Sequence, residues 1–195
     1  MVAQVQDNKS YTSDEYLELE VNSQERHEYR GGKIVSMTGG TPNHNQIGLN
    51  VAGALNFGLK RQPYRVFVND QRLWIPDAKI YTYPDVMVVA GGLEFQEGRK
   101  DTITNPLLIV EVLSPSTRTY DKNDKFSAYR TIPDFQEYVL IEQDRIYIQH
   151  FYKTEPKKWV FVEYGQEEKD KELTFSSLPF QISLEDIYDK VIFAD

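Results

Sequence analysis

The segment Leu107–Leu113 limits the fold most, because every residue in it except Glu111 is apolar. Apolar side chains on both faces of an extended segment are typical of a central strand that other elements cover on two sides. An ionised carboxylate in such a strand loses hydration worth on the order of several kcal/mol unless a cation offsets the loss. Taken alone, Glu111 is consistent both with a buried ion pair to an arginine or lysine elsewhere and with a functional site.

Helical and extended patterns alternate around this strand, which predicts a mixed α/β (α+β) fold. The capping-box pattern Thr12–Glu15 begins a short N-terminal helix. Gly31 and Gly32 then supply the turn of a β-hairpin, and Thr41 with Pro42 begins a long helix that ends near residue 60. Further strands are predicted at 64–68, 72–75, 86–90, 137–141, 145–152 and 159–164, further helices at 121–131 and 183–188, and a loop at 91–105.

The length of 195 residues fits a single domain. We expect this domain to cover residues 1–195, with a core at about 11–165 and C-terminal strands and a short helix at 170–195. The absence of cysteine excludes disulfide frameworks and thiolate metal sites, and it favours the reducing cytoplasm. The polar segment 1–10 predicts no signal peptide, and no apolar run is long enough to predict a membrane span.

The charge balance argues against a protein that coats DNA without regard to sequence. The formal net charge is -8 and the isoelectric point is near 5.0, whereas phosphate binding relies on lysine and arginine. Basic residues do cluster at Arg118, Lys122, Lys125 and Arg130, but aspartates lie among them. Charge alone therefore identifies no DNA-binding surface.

Asp85 is the natural partner of Glu111. It follows Pro84, which fixes the backbone where the predicted strand 86–90 begins. The separation of 26 positions between Asp85 and Glu111 is enough for a loop and a returning strand, so the two carboxylates can meet on neighbouring strands. Two fixed carboxylates suit magnesium, with manganese as a second candidate, because these hard cations take oxygen ligands. A turn aspartate is the commoner role for Asp85 considered alone.

Several motifs resemble those of the Uma-type restriction endonuclease family, within the PD-(D/E)xK nuclease superfamily. The residues that carry the resemblance are Pro84–Asp85, the run Ile109–Thr117, and Asp121 followed by Lys125 and Tyr129. The resemblance implies a restriction-endonuclease-like core, a mixed central sheet flanked by helices, to which the N-terminal helix and hairpin are additions. It also implies magnesium-dependent hydrolysis of DNA phosphodiester bonds.

The chain departs from the superfamily pattern at the motif lysine. That lysine is expected two residues after the acidic residue, but Leu113 occupies the position. The resemblance implies that Lys125, on the following helix, takes its place, with Lys122 as the second choice. We expect Lys125 at the margin of the helix face that Phe126 and Tyr129 bury. An ordinary surface ion pair between Asp121 and Lys125, four residues apart, is the alternative.

Two further positions are implied by the resemblance. Glu28 corresponds to an acidic residue that supports the metal, and His44 corresponds to a histidine at the start of the long helix. The alternatives are a solvated hairpin charge beside Arg26 or Arg30 for Glu28, and an ordinary first-turn residue for His44, which we favour over a catalytic base.

The remaining polar residues favour no other chemistry. Ser114 and Ser116 lie outside any nucleophile-elbow motif, so we expect their hydroxyls to shape the turn after the central strand. Neither His27 nor His150 has the spacing of a zinc ligand.

These residues predict a metal-dependent endonuclease in which Asp85 and Glu111 hold the metal and Lys125 stabilises charge at phosphorus. Glu28, His44, Asp121, Ser114 and Tyr129 support the site. The expected partners are DNA and, because the chain is acidic, a second copy in a homodimer. A nuclease-like binding or assembly module without catalysis, and a phosphodiesterase that acts on nucleotides, are the alternatives.

Overall fold

The computed structural model of the protein describes residues 9–37, 39–165 and 172–193. Residues 1–8, where no signal peptide is expected, lie outside this part, as do residues 166–171 and 194–195, which include the two ends of the predicted C-terminal region 170–195. The helices are α1 (Ser13–Asn22), α2 (Pro42–Gly58), α3 (Arg118–Tyr120), α4 (Phe126–Tyr129) and α5 (Leu184–Ile187), with a π-helical turn (Asp121–Lys125) between α3 and α4. The strands are β1 (His27–Arg30), β2 (Lys33–Ser36), β3 (Tyr64–Val68), β4 (Arg72–Ile75), β5 (Ile80–Thr82), β6 (Val86–Ala90), β7 (Thr102–Ile103), β8 (Leu108–Leu113), β9 (Glu137–Glu142), β10 (Tyr147–Glu155), β11 (Lys158–Gly165), β12 (Glu172–Thr174) and β13 (Gln181–Ser183).

The larger sheet has six strands in the order β11-β10-β9-β8-β6-β3, with β8 near its centre. Strand β8 is parallel to β9 and antiparallel to β6, so the sheet is mixed. Every residue of β8 is buried, as the apolar run predicted. The structure therefore confirms the mixed central sheet and its covered central strand.

The two faces of β8 contact different parts of the molecule. Val110, like the other residues of β8 that point the same way, packs against α2 and the C-terminal elements. Ile109 and Leu113 point the opposite way, toward α4 and the smaller sheet. Because side chains alternate along a strand, Glu111 shares the face of Ile109 and Leu113. The carboxylate is thereby directed between the larger sheet and the helix that follows β8.

The smaller sheet has five strands in the order β2-β1-β5-β4-β7. The hairpin of β1 and β2 is confirmed, and Gly31 and Gly32 both adopt positive φ angles in its turn. Strands β5 and β7 were not predicted, and β7 lies within the segment 91–105 that was expected to be a loop. Both strands have three residues or fewer, which is too short for an alternating pattern to be detected.

The helix expected at 121–131 begins earlier and is irregular. It runs from Arg118 to Tyr129, and its middle is the π-helical turn Asp121–Lys125 rather than regular α-helix. A π-helical turn holds one more residue than an α-helical turn, and it changes which side chains share a face. The predicted bounds were therefore displaced and the π-helical turn was missed.

The C-terminal part completes the core on the α2 side of the larger sheet. Strands β12 and β13 form a hairpin, and α5 begins directly after β13. Leu173 and Ile187 are fully buried in the cluster that contains Val51 and Leu55 of α2. Within the described residues, no helix is long and apolar enough to cross a membrane.

Candidate active site

Asp85 and Glu111 lie opposite each other at one end of the larger sheet. Val86 pairs with Val110 in the antiparallel register of β6 and β8, and continuing that register by one residue brings Asp85 opposite Glu111. The backbone N–H of Val112 donates to Asp85 Oδ2 at 2.7 Å, and that of Asp85 donates a longer bond to Glu111 Oε2 at 3.4 Å. Each carboxylate is thus oriented by the strand that carries the other.

Lys125 contacts the carboxylates from the π-helical turn. Its Nζ donates to Glu111 Oε1 at 3.1 Å and lies 3.1 Å from Asp121 Oδ1 and 3.4 Å from Glu28 Oε1. The expectation that Lys125 lies at the helix margin was wrong, since only 6% of it is exposed. The buried face passes through Asp121, Lys125 and Tyr129, which are four positions apart, whereas Phe126 is only partly buried. The Asp121–Lys125 pair therefore exists, but it is not a surface pair.

Lys122, the second choice for the motif lysine, lies elsewhere. Its Nζ is 3.4 Å from Glu142 Oε1, and Arg118 Nη2 is 2.6 Å from Glu142 Oε2. Glu142 is the last residue of β9, where it pairs with Leu113, and it does not line the cavity that contains Glu111. In this arrangement Lys125 contacts Glu111 directly, and Lys122 does not.

Tyr129 fixes the remaining side of Glu111. Its hydroxyl donates to Glu111 Oε1 at 2.7 Å, and its ring is fully buried. Tyr138 donates to the carbonyl oxygen of Asp121 at 3.0 Å, which holds the π-helical turn against β9. The Glu111 carboxylate therefore receives hydrogen bonds from an ammonium and a phenol, and both donors are buried.

Glu28 is buried on β1 rather than solvated on a hairpin. Only 3% of it is exposed, Arg30 Nη2 lies 2.5 Å from its Oε2, and Thr82 donates to its Oε1 at 2.5 Å. Burial alone would raise the pKa of Glu28, but Lys125, Arg30 and Thr82 outweigh it and lower that pKa. Arg26, the other expected neighbour, pairs with Asp70. Glu28 therefore remains an anion beside Lys125.

His44 lies in the first turn of α2, and it also contacts the carboxylate pair. Its Nε2 is 3.3 Å from Asp85 Oδ2, and Thr41 caps the helix by accepting from the His44 backbone N–H at 3.2 Å. Burial lowers the pKa of His44, but the bond to Asp85 outweighs burial and the net shift is upward from 6.5. The first-turn position that we favoured and a contact with the site are both present.

Ser114 shapes the turn after β8, as expected. Its hydroxyl accepts from the Thr117 backbone N–H at 3.2 Å and lies 3.1 Å from the Ser116 hydroxyl. The Arg118 backbone N–H donates to the Ser114 carbonyl at 2.9 Å, so the same residue begins the helix. These contacts lead the chain from Glu111 directly into the turn that carries Lys125.

The sequence analysis did not predict two residues that contribute to the site, Gln143 and Tyr120. Gln143 donates from Nε2 to the Leu113 carbonyl at 2.9 Å and also bonds to Thr41, which joins the end of β8 to the start of α2. Tyr120 stacks on Arg30, with the guanidinium carbon 3.5 Å from the ring centroid. No local pattern identifies Gln143, because its position depends on the parallel pairing of β8 with β9, which sets the ends of both strands at one edge.

The carboxylates, Lys125 and His44 line one cavity of about 410 Å³. Its lining includes Glu28, Asp85, Glu111 and Asp121, which are balanced only by Arg30, Lys125 and the partly buried His44. Burial raises the pKa of Glu111 to about 8; Lys125 opposes this rise, and the charges of Asp85 and Asp121 add to it. Burial would lower the pKa of Lys125, but the surrounding carboxylates raise it well above 10.5.

The carboxylates fit a hard divalent cation. Asp85 and Glu111 offer oxygen ligands at a cavity whose like charges disfavour ionisation of Glu111, and a dication would relieve that repulsion. Across the described ranges, no group of three or more histidine, aspartate or glutamate side chains has the arrangement of a metal cage.

Several known proteins are similar to this chain in sequence. Residues 13–185 match the model of the Uma2 family, which is described as "putative restriction endonuclease". The protein named "uncharacterized protein sll1609" of Synechocystis is 39% identical over 170 residues, covering 87% of this chain and 96% of its own length. A second Synechocystis protein, "uncharacterized protein slr1290", is 32% identical over 182 residues, covering 92% of each chain.

A solved structure shares the fold. It is a crystal structure from Anabaena variabilis described as "a putative nuclease belonging to DUF820". The TM-score is 0.75 at 20% identity, and the likeness covers 93% of this chain and 99% of the other. The predicted fold class is therefore confirmed. The family match covers most of the chain, including Asp85, Glu111 and Lys125, and the chain belongs to the Uma2 family.

Proposed function

We propose that the protein is a metal-dependent endonuclease that hydrolyses DNA phosphodiester bonds with an activated water. The observation that carries the proposal is the contact of Lys125 with Glu111, opposite Asp85 on the neighbouring strand. Such a combination of two carboxylates and a cation at a cavity suits phosphoryl chemistry, in which negative charge develops at oxygen. The family description and the solved nuclease-fold relative support the same reaction class.

Asp85 and Glu111 would hold the metal, magnesium or manganese. When bound, the metal supplies Lewis-acid polarisation of the phosphate and lowers the pKa of a bound water. Glu111 would enter this role as a carboxylate whose direction Tyr129 already fixes. Because its pKa is raised to about 8, the cation and the proton compete for Glu111.

Lys125 would stabilise charge rather than accept a proton. Its pKa is raised well above 10.5, so it remains an ammonium at neutral pH and cannot be a general base. Glu28 and Asp121 hold it within 3.4 Å and 3.1 Å, which limits its motion. In the proposed reaction it orients the attacking water or donates to the phosphoryl oxygen that gains charge.

His44 and Ser114 would position other groups. His44 sets the direction of Asp85 through their 3.3 Å contact, and Ser114 sets the turn between Glu111 and Lys125.

We further propose that the protein acts in the cytoplasm as a homodimer, on the grounds of its lack of cysteine and its acidic charge. Size-exclusion chromatography with light scattering tests the dimer, and a monomeric mass would contradict it.

Cleavage assays with conservative variants test the reaction. Purified protein is incubated with plasmid, linear and branched DNA, with magnesium, manganese or a chelator. We expect nicking or cleavage only with metal, and a loss of about 100-fold or more in Asp85→Asn, Glu111→Gln and Lys125→Met. Glu137→Gln is the matched control, since Glu137 is a buried carboxylate in the same sheet that bonds to His150 and Ser177.

The control separates loss of chemistry from loss of folding. Glu137→Gln is expected to lower the melting temperature while its folded fraction retains cleavage. The reason is that Glu137 begins β9, opposite Leu108, whereas Glu111 pairs with Leu140 further along that strand. Cleavage that persists in all three site variants would refute the assignment. A wild type that binds DNA without cutting it would favour the non-catalytic module, and cleavage of nucleotides alone would favour the phosphodiesterase.

A further inference from the structure

The segment 29–69 contains no aspartate or glutamate, although the whole chain has 30 acidic residues and a net charge of -8. The basic residues in this segment are Arg30, Lys33, Lys60, Arg61 and Arg65. The segment forms most of the β1–β2 hairpin, all of α2 and all of β3. This continuous segment therefore has a net charge of +5 in an otherwise acidic molecule.

Lys60, Arg61 and Arg65 lie together where α2 ends and β3 begins. All three are exposed, and β3 is an edge strand of the larger sheet. Arg65 donates to the Gly91 carbonyl at 3.1 Å, and none of the three forms an ion pair with any residue that the structure describes. Cations without acidic partners are available for phosphate groups. We call these three residues the cationic patch.

An exposed aromatic ring lies beside the cationic patch. Phe57 is 80% exposed, and it lines a surface hollow of about 370 Å³ together with Lys60, Arg61 and the half-buried Tyr64. Single-stranded nucleic acids bind where cations follow the backbone and aromatic rings stack on unpaired bases. Paired bases present no free face, so the exposed ring favours a single strand over a duplex.

Helix α2 connects this hollow to the candidate active site. Thr41 and His44 at its start line the larger cavity, whereas Asn56 and Phe57 at its end line the hollow. A helix of 17 residues is about 25 Å long. A separation of this size lies within the span of a nucleic-acid strand of about 4–16 nucleotides, the usual footprint of single-strand binding folds.

We propose that the cationic patch and Phe57, at the opposite end of α2 from His44 and the carboxylates, bind a single-stranded flank of the nucleic-acid substrate. The inference rests on the proposed function only in treating the larger cavity as the reacting end. Binding at the hollow itself requires no metal and no cleavage.

Fluorescence anisotropy tests the proposal on the full chain in chelator, where metal-dependent cleavage does not proceed. The probes are a labelled single-stranded oligonucleotide and the corresponding blunt duplex. The triple variant Lys60→Gln, Arg61→Gln, Arg65→Gln is compared with Lys79→Gln, Lys100→Gln, Lys157→Gln, which removes the same charge from exposed lysines elsewhere. Phe57→Ala is measured separately, with Leu49→Ala as a control for loss of an exposed apolar side chain of α2.

We expect wild type to bind the single strand more tightly than the duplex. The patch variant should bind at least about tenfold more weakly at low salt, and its slope of log affinity against log salt should fall by about 2, since each phosphate contact contributes about 0.7. Phe57→Ala should weaken single-strand binding about fivefold or more and leave duplex binding unchanged. The control variants should resemble wild type.

Three results would overturn the inference: no single-strand binding, an equal effect of the patch and control triples, or no effect of Phe57→Ala. Binding that depends on the patch in a protein that never cleaves DNA would support the inference and contradict the proposed nuclease. If the protein cleaves DNA but the patch variant binds the single strand as tightly as wild type, the nuclease proposal is supported and this inference is contradicted. The two proposals can therefore fail separately.

Discussion

Glu111 combines the two explanations that the sequence left open. It forms a buried ion pair with Lys125, and it also faces Asp85 at the edge of a cavity. The need for a partner followed from the charge in an apolar strand, Asp85 followed from its position after Pro84 and from the spacing, and Lys125 came from the family resemblance. The burial of Glu28, 83 positions before Glu111 in the chain, could not be predicted, because it depends on how the smaller sheet packs.

The raised pKa of Glu111 predicts how stability depends on pH. In the folded chain this pKa is about 8, above the 4.5 of an exposed glutamate, so the folded state binds more protons between these values. The stabilisation that the protonated Glu111 contributes is therefore fully present below pH 4.5 and is lost as pH rises toward about 8. The free energy of unfolding falls over this range by at most about 1.4 kcal/mol per pH unit. Glu111→Gln should remove this dependence in chelator, because glutamine does not titrate.

Denaturant unfolding from about pH 5 to pH 8 measures this effect. The free energy of unfolding of wild type should decline relative to that of Glu111→Gln as pH rises, whereas Glu97→Gln, an exposed control, should follow wild type. Near pH 8, added magnesium should restore the free energy of unfolding of wild type and leave that of Glu111→Gln unchanged. Parallel curves for wild type and Glu111→Gln would show that the carboxylate ionises normally.

At the scale of elements, the π-helical turn is the feature that the sequence did not reveal. The periodicity of Phe126 and Tyr129 correctly indicated a helix, but an extra residue in one turn has no distinct signature in apolar spacing. Asp121 and Lys125 at the two ends of this turn are both buried at the cavity, and the extra residue sets how the start of the helix is turned relative to them. Strands β5 and β7 were missed for a related reason, since their few residues pair only in the assembled sheet.

Removing one residue from this turn tests its role. Deletion of Asn123, which is exposed, should convert the turn to regular α-helix and rotate one part of the helix against the other by about 100°. Asp121 and Lys125 would then lie three positions apart and still share a helix face, but Lys125 and Tyr129 would be turned relative to the helix start that Ser114 anchors. Cleavage should therefore fall by about 100-fold or more. Asn123→Ala keeps the residue count and should retain activity. Circular dichroism checks the fold, and full activity in the deletion variant would contradict the role.

At the scale of the whole molecule, the sequence predicted the larger sheet better than its surroundings. Six of its strands were predicted near their observed positions, because each is long enough to show an apolar or alternating pattern. The division into a larger and a smaller sheet depends on pairings between distant segments, such as that of β1 with β5, which local patterns do not encode. The same limit applies to the carboxylates, whose approach required the register of β6 and β8.

The extent of the domain remains a prediction, and truncation tests it. The expected core at 11–165 leaves out the C-terminal part, yet the structure buries seven apolar side chains of that part against α2 and the larger sheet. They are Leu173, Phe175, Leu178, Ile182, Leu184, Ile187 and Tyr188. Since each buried side chain contributes roughly 1.5–3 kcal/mol, their loss matches or exceeds the roughly 5–15 kcal/mol that stabilises a typical domain.

A chain that ends at residue 165 should therefore fail to fold, although it keeps Asp85, Glu111 and Lys125. We expect it to be insoluble or to lack a cooperative thermal transition, which expression trials and calorimetry measure. Leu173→Ala in the full chain is the milder counterpart and should cost about 2–5 kcal/mol while leaving a folded protein. A truncated chain that melts cooperatively would show that residues 172–193 form an appendage, and that the site stands on the sheets without them.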